Sequence, residues 1–121
     1  MSQRGQEPVE GLIEELIEFL RPYIVPLIDR IDVDEFTTVE FIEAMQLDEP
    51  TRQAYEAAVR RWPEGEHRAR MVIHGQVIPT LLRRSGRVEW AGYAYGEEDP
   101  YAVPAWWRKR PPDRAGAEPG T

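Results

Sequence analysis

Apolar and polar positions follow two different periods along this chain. From residue 9 to residue 31, Val9, Leu12, Ile13, Leu16, Ile17, Leu20, Tyr23, Ile24, Leu27, Ile28 and Ile31 keep one helical phase. Glu10, Glu14, Glu15 and Glu18 take the polar side. Pro8 suits a first helical turn, where its missing N–H removes no bond. Pro22 and Pro26 each cost roughly 3 kcal/mol in a helix interior. Yet the apolar phase passes both without a slip, and both fall on the polar face. The pattern predicts a long helix kinked near these prolines. Two shorter helices, broken between Arg21 and Pro22, would present the same stripe.

That stripe is too wide and too long to face water. Its subset Val9, Ile13, Leu16, Leu20, Tyr23 and Leu27 has the four-three spacing of a coiled-coil seam. Two roles follow. The helix packs on its own domain, or it forms a dimerisation or partner interface through residues 9–31. A membrane-surface role fits poorly, because the polar face is acidic.

Residues 32–35 read as an acidic, solvated connection. Thr37 and Glu40 then form a capping box, with Phe36 stapled onto Phe41. Phe41, Ile42 and Met45 face inward, and Leu47 seals the next turn. Asp48 caps another helix with Pro50 in its first turn. Ala54, Tyr55, Ala58, Val59 and Trp62 form its apolar face, and residues 63–66 stop it. The run 67–73 fits either an extended segment or an early helical turn. A helix over 76–84 buries Val77, Ile78, Leu81 and Leu82 and turns Gln76, Thr80, Arg83 and Arg87 outward. On this reading Pro79 lies in its first turn, and Gly86 supplies the left-handed residue after its end.

From residue 87 the period changes to two. Residues 87–93 and 101–109 read as a β-hairpin around the polar loop 95–100. Alternation puts Val88 and Trp90 on one face, with Tyr93 and Tyr95 on the other. Adjacent Trp106 and Trp107 point to opposite faces, one into the core and one partly outward. Residues 111–121 lack apolar periodicity and read as a flexible tail.

Composition narrows the function. At 121 residues the chain is one small domain, with or without an arm. No cysteine is present, which excludes disulfide frameworks, thiolate zinc sites and thiol catalysis. No secretory signal or apolar membrane span is visible, so a cytoplasmic location is expected. Fourteen Arg against one Lys fits a GC-rich, prokaryotic genome. Net charge is −7, but unevenly spread. Residues 1–50 hold three basic and thirteen acidic side chains; residues 51–121 hold twelve and nine.

Little points to catalysis. His67 and His74 are seven apart but lack the carboxylate of a zinc-protease motif, and read as surface or capping residues. Glu97, Glu98 and Asp99 read as a solvated loop tip. No enzyme, metal site or cofactor is expected. The aromatic residues of the hairpin suit core and cross-strand packing, a partner hot spot or base stacking.

Helices over 37–46, 49–61 and 75–85, then a hairpin over 87–109, with Leu81-Leu82-Arg83-Arg84-Ser85-Gly86 leading into Val88-Glu89-Trp90 and Trp106-Trp107-Arg108-Lys109 at the end, resemble a winged helix-turn-helix domain. The resemblance covers about residues 33–110. It implies a mainly α fold with a small antiparallel hairpin (α+β), preceded here by the kinked helix of residues 1–32. It also implies that the third helix enters a DNA major groove while the wing touches backbone. The DNA-contacting residues would be Arg68, Arg70, Gln76, Thr80, Arg83, Arg84, Arg87, Arg108 and Lys109, in a transcription regulator dimeric through residues 9–31. The alternative is a non-enzymatic adaptor or complex subunit with the same fold. The Arg row favours the first, the acidic loop and net charge the second.

Overall fold

In the computed structural model, residues 7–110 are described, with side chains from Gly11 onward. The tail expected over 111–121 lies outside them. Helix α1 spans Glu7–Arg30, followed by strand β1, Glu35–Thr37. Helices α2 (Thr38–Leu47) and α3 (Glu49–Arg61) come next. Helix α4 (Glu66–Val72) runs through a π-helical turn (Ile73–Val77) into α5 (Ile78–Ser85). Strands β2 (Val88–Tyr93) and β3 (Ala105–Lys109) complete the fold. It is mainly helical with a small antiparallel sheet, ordered β1-β3-β2.

Helix α1 is one element, without a break at Pro22. Both prolines stand on its exposed side. Their combined cost is about 6 kcal/mol. Leu16, Ile17, Leu20, Ile24, Leu27 and Ile28 are all buried. At about 1.5–3 kcal/mol each, their burial outweighs that cost. Of the two expected roles, packing on its own domain is the one the structure shows. Leu16, Leu20 and Leu27 share the core cluster with Phe41, Tyr55, Leu81 and Trp107, and Ile13 and Tyr23 are half-buried against it. The side chain of Val9 lies outside the described set. Residues from 1–32 and from 33–110 thus share one core.

Local signals set the helix starts. Thr37 caps α2 by accepting from the Glu40 N–H at 3.0 Å, and Glu40 accepts from the Thr37 N–H at 3.0 Å. Phe36 stacks on Phe41 with centroids 5.7 Å apart. Asp48 caps α3 by accepting the Thr51 N–H at 3.2 Å. Leu47, expected to seal the turn, is instead 87% exposed.

Two elements depart from the sequence reading. Residues 67–73 are helical, so the helix expected to start near residue 76 starts at Glu66. Pro79 therefore lies inside a continuous helical run. Its ring would clash with the carbonyl four residues back. The π-helical turn immediately before α5 widens the backbone there. Second, the hairpin has a third strand. Glu35, Phe36 and Thr37 pair with Arg108, Trp107 and Trp106. Trp107 is fully buried and Trp106 half-buried, as adjacent residues in a strand require.

Candidate nucleic-acid interface

The proposed reading helix is fixed from beneath. Val77, Ile78, Leu81 and Leu82 are buried, while Gln76 and Arg83 are exposed and Thr80 is half-exposed. Gly86 ends α5 at φ 74°, a conformation open to glycine. The Arg83 guanidinium lies 5.9 Å from the Trp107 ring centroid and has no carboxylate partner among the described residues. Arg68, exposed on α4, likewise has none. Fifteen positions separate the two, roughly 22 Å along a helix axis.

The other candidate cations are engaged. Arg84 reaches Glu14 at 3.2 Å and Arg87 reaches Asp29 at 2.6 Å, both on the acidic face of α1. These pairs are exposed, and such contacts contribute only about 0–1 kcal/mol. Arg108 lies 2.9 Å from Glu35 and 3.6 Å from Glu89. Register puts Glu35, Glu89 and Arg108 together on the outer face of the sheet, opposite Phe36 and Trp107. Arg108 therefore points away from α5 and cannot share a surface with Arg83. The Lys109 ammonium donates to the Ile31 carbonyl at the end of α1.

Arg70 is engaged within the fold. Its side chain is 17% exposed and 2.7 Å from Glu66. It also donates to the Tyr55 hydroxyl at 3.1 Å. Burial works against its charge, but the bonds to Glu66 and Tyr55 prevail and raise its pKa.

From Arg70 a buried chain of hydrogen bonds crosses to the hairpin loop, residues 94–104. The Tyr55 oxygen lies 2.6 Å from His74 Nε2, and His74 Nδ1 lies 2.9 Å from Asp99 Oδ2. A carboxylate can only accept, so His74 donates to Asp99 from Nδ1–H, and the Tyr55 hydroxyl completes the hydrogen bond at Nε2. Asp99 Oδ1 accepts the Tyr101 N–H at 2.9 Å. Burial pushes the Tyr55 phenol up, against the opposing bond from Arg70. Tyr55 is 1% exposed, out of a substrate's reach. The chain therefore fastens the hairpin loop to the π-helical turn. His74, expected at the surface, and Asp99, expected at a solvated tip, are both buried. A cavity of about 260 Å³ adjoins them, lined in part by Val39, Ile42 and Tyr101. Both nitrogens of His74 are already engaged.

In comparisons with known proteins, no family model, no curated protein and no solved structure matches this chain. Among the described residues, no group of three or more His, Asp or Glu side chains is placed to hold a metal ion. No described helix is long and apolar enough to cross a membrane.

Sequence reasoning missed a second buried hub. Thr38 Oγ1 accepts from the Trp107 indole at 2.9 Å and from the Ala105 N–H at 3.2 Å. It also missed the arrangement of the exposed aromatics. A bulge between Trp90 and Tyr93, with Gly92 at φ 113°, shifts the alternation by one residue. Trp90 and Tyr93 then meet edge to face at 5.3 Å, rather than pointing to opposite faces.

Proposed function

We propose that this chain is a winged-helix DNA-binding protein of the transcription-regulator kind, and that the outward face of α5 and the turn before it reads DNA. The supporting observation is the exposed Gln76 and Arg83 beside half-exposed Thr80, on a helix whose other face is locked into the core. Arg offers paired donors to a guanine edge in a major groove, and Gln a donor and an acceptor to an adenine edge. Arg68 supplies a phosphate contact. Arg84 and Arg87 exchange Glu14 and Asp29 for phosphate when DNA arrives, at little cost because both pairs are exposed. Arg70, Arg108 and Lys109 take no part, and no dimer through the α1 leucines is invoked.

A salt-titrated binding assay with duplex DNA tests this. Arg83→Ala weakens binding by about 1–3 kcal/mol and relaxes sequence preference. Removing Glu14 and Asp29 as Gln and Asn strengthens it, because two cations are released. Undetectable binding at low salt by the wild type and by the Glu14→Gln, Asp29→Asn variant ends the DNA reading. The second reading is a non-enzymatic adaptor with the same fold. It is favoured by the acidic α1 face that already holds Arg84 and Arg87, and by the net charge of −7.

A further inference from the structure

The hairpin carries exposed aromatic surface that neither the core nor α5 uses. Trp90, Tyr93 and Tyr95 are 48%, 53% and 82% exposed. Tyr93 and Tyr95 lie 5.7 Å apart by ring centroids, continuing the row begun by Trp90. Beyond Tyr95 the wing loop encloses an open hollow of about 780 Å³, lined by Glu97, Glu98 and Val103 among others. Glu97 and Glu98 have no cationic partner among the described residues. The rim is held in shape from both sides. The Ala94 N–H donates to the Pro104 carbonyl at 3.0 Å, the Glu97 N–H to the Ala94 carbonyl at 3.1 Å, and Asp99 is tied inward to His74.

We propose that this wing tip is a docking surface for a basic segment of a partner protein, one that brings arginine or lysine beside apolar side chains. Charge selects the occupant. Two uncompensated carboxylates repel nucleic acid and anionic lipid. A second copy of the chain would bring its own Glu97 and Glu98. A guanidinium or ammonium meets both the carboxylates and the ring faces, since the faces of Trp and Tyr attract cations. Aromatic residues clustered in one exposed patch are the usual centres of protein interfaces. A loop already held in place loses little freedom on binding. The loop borders the π-helical turn, where Gly75 lies against Ala102, but the proposal uses the hairpin's own side chains and stands whether or not α5 reads DNA.

The test uses the full chain, ¹⁵N-labelled, titrated with an acetylated and amidated hexapeptide of alternating arginine and leucine. Amide shifts concentrate between residues 90 and 103. Glu97→Gln with Glu98→Gln weakens binding at least about tenfold, and Tyr95→Ala does so independently. A matching peptide with glutamate for arginine gives no shifts. Equal shifts along the acidic face of α1, at Glu14, Glu15 and Glu18, would reduce the effect to general electrostatics and overturn the proposal. So would an absence of shifts in the wing, shifts of the same residues on adding duplex DNA, or a dimer in light scattering that Tyr95→Ala dissolves.

Discussion

Leu20→Ala asks whether α1 belongs to the fold or stands apart from it. Leu20 is fully buried. Its core cluster extends through α3 and α5 to Trp107 on β3. Truncation removes the transfer energy of the lost carbons and leaves a cavity that surrounding helices fill only in part. Such substitutions cost about 2–5 kcal/mol, and a site enclosed on all sides belongs above the lower limit. About 3 kcal/mol is expected. For a domain near this size each kcal/mol moves the midpoint by about 3–6 °C, so Tm falls by roughly 9–18 °C. Two thermal melts provide the measurement. Far-UV circular dichroism follows the helices, and near-UV dichroism follows the packed tryptophans. Both should shift together, because the cavity opens in a core that sheet and helices share. A loss under about 1 kcal/mol, or a near-UV transition left in place while α1 melts, would refute a common core. It would restore α1 as a separate interface helix.

Three further outcomes follow from the geometry. Thr37→Ala removes the side-chain half of the capping box, leaving the residue-37 N–H to donate to Glu40, and should cost about 1 kcal/mol in urea unfolding, while Thr37→Ser should retain most of it. Asp99→Ala leaves the Nδ1–H of His74 buried without a partner, at about 1–3 kcal/mol; hydrogen exchange should quicken at the Tyr101 amide, and unchanged exchange would show that the loop is held by other contacts. Stability should fall at both ends of the pH scale in urea titrations. The Thr51 hydroxyl, ahead of smaller contributions, holds Asp48 below its ordinary 3.8, so that contribution is present above pH 3.8 and disappears as pH falls through the lowered value. Burial holds Tyr55 above 10.0, so its contribution is present below pH 10 and disappears as pH rises through the raised value. Thr51→Val should flatten the acid limb alone.

What the sequence disclosed depended on how far apart the partners lie. Thr37 and Glu40 are three residues apart, and Phe36 and Phe41 five, so cap and staple were legible. The α1 stripe was legible as a buried face, but its partner was not, because a helix facing its own core and one facing a second chain need the same residues. Strand β1 was not legible: Glu35 belongs to the acidic connection, and Phe36 and Thr37 show only as staple and cap. The strand is only three residues long, begins with Glu35, and takes its hydrogen bonds from residues about seventy positions on. His74 looked like a surface residue because Tyr55 and Asp99 lie 19 and 25 positions away. The bulge at Gly92 reversed the faces of the hairpin aromatics, and one inserted residue is invisible to a pattern of period two. The row of arginines was visible, but its pairing with α1 was not: Glu14 and Arg84 are 70 residues apart.

The strand order has a consequence for how the chain is made. The middle strand of the sheet, β3, is the last to be synthesised. While the ribosome works through the hairpin loop, β1 and β2 both wait with their hydrogen-bonding edges unmatched, and Thr38 lacks the indole it will hold. The helices can form and gather as they emerge, since their bonds are local. The sheet cannot close until Lys109 has cleared the exit tunnel, some tens of residues after it is added unless release comes first. A chain that stops near residue 100 should therefore be a helical cluster with two exposed strand edges, a species prone to sticking to its neighbours. Completion of five residues, Ala105–Lys109, removes that hazard in one step.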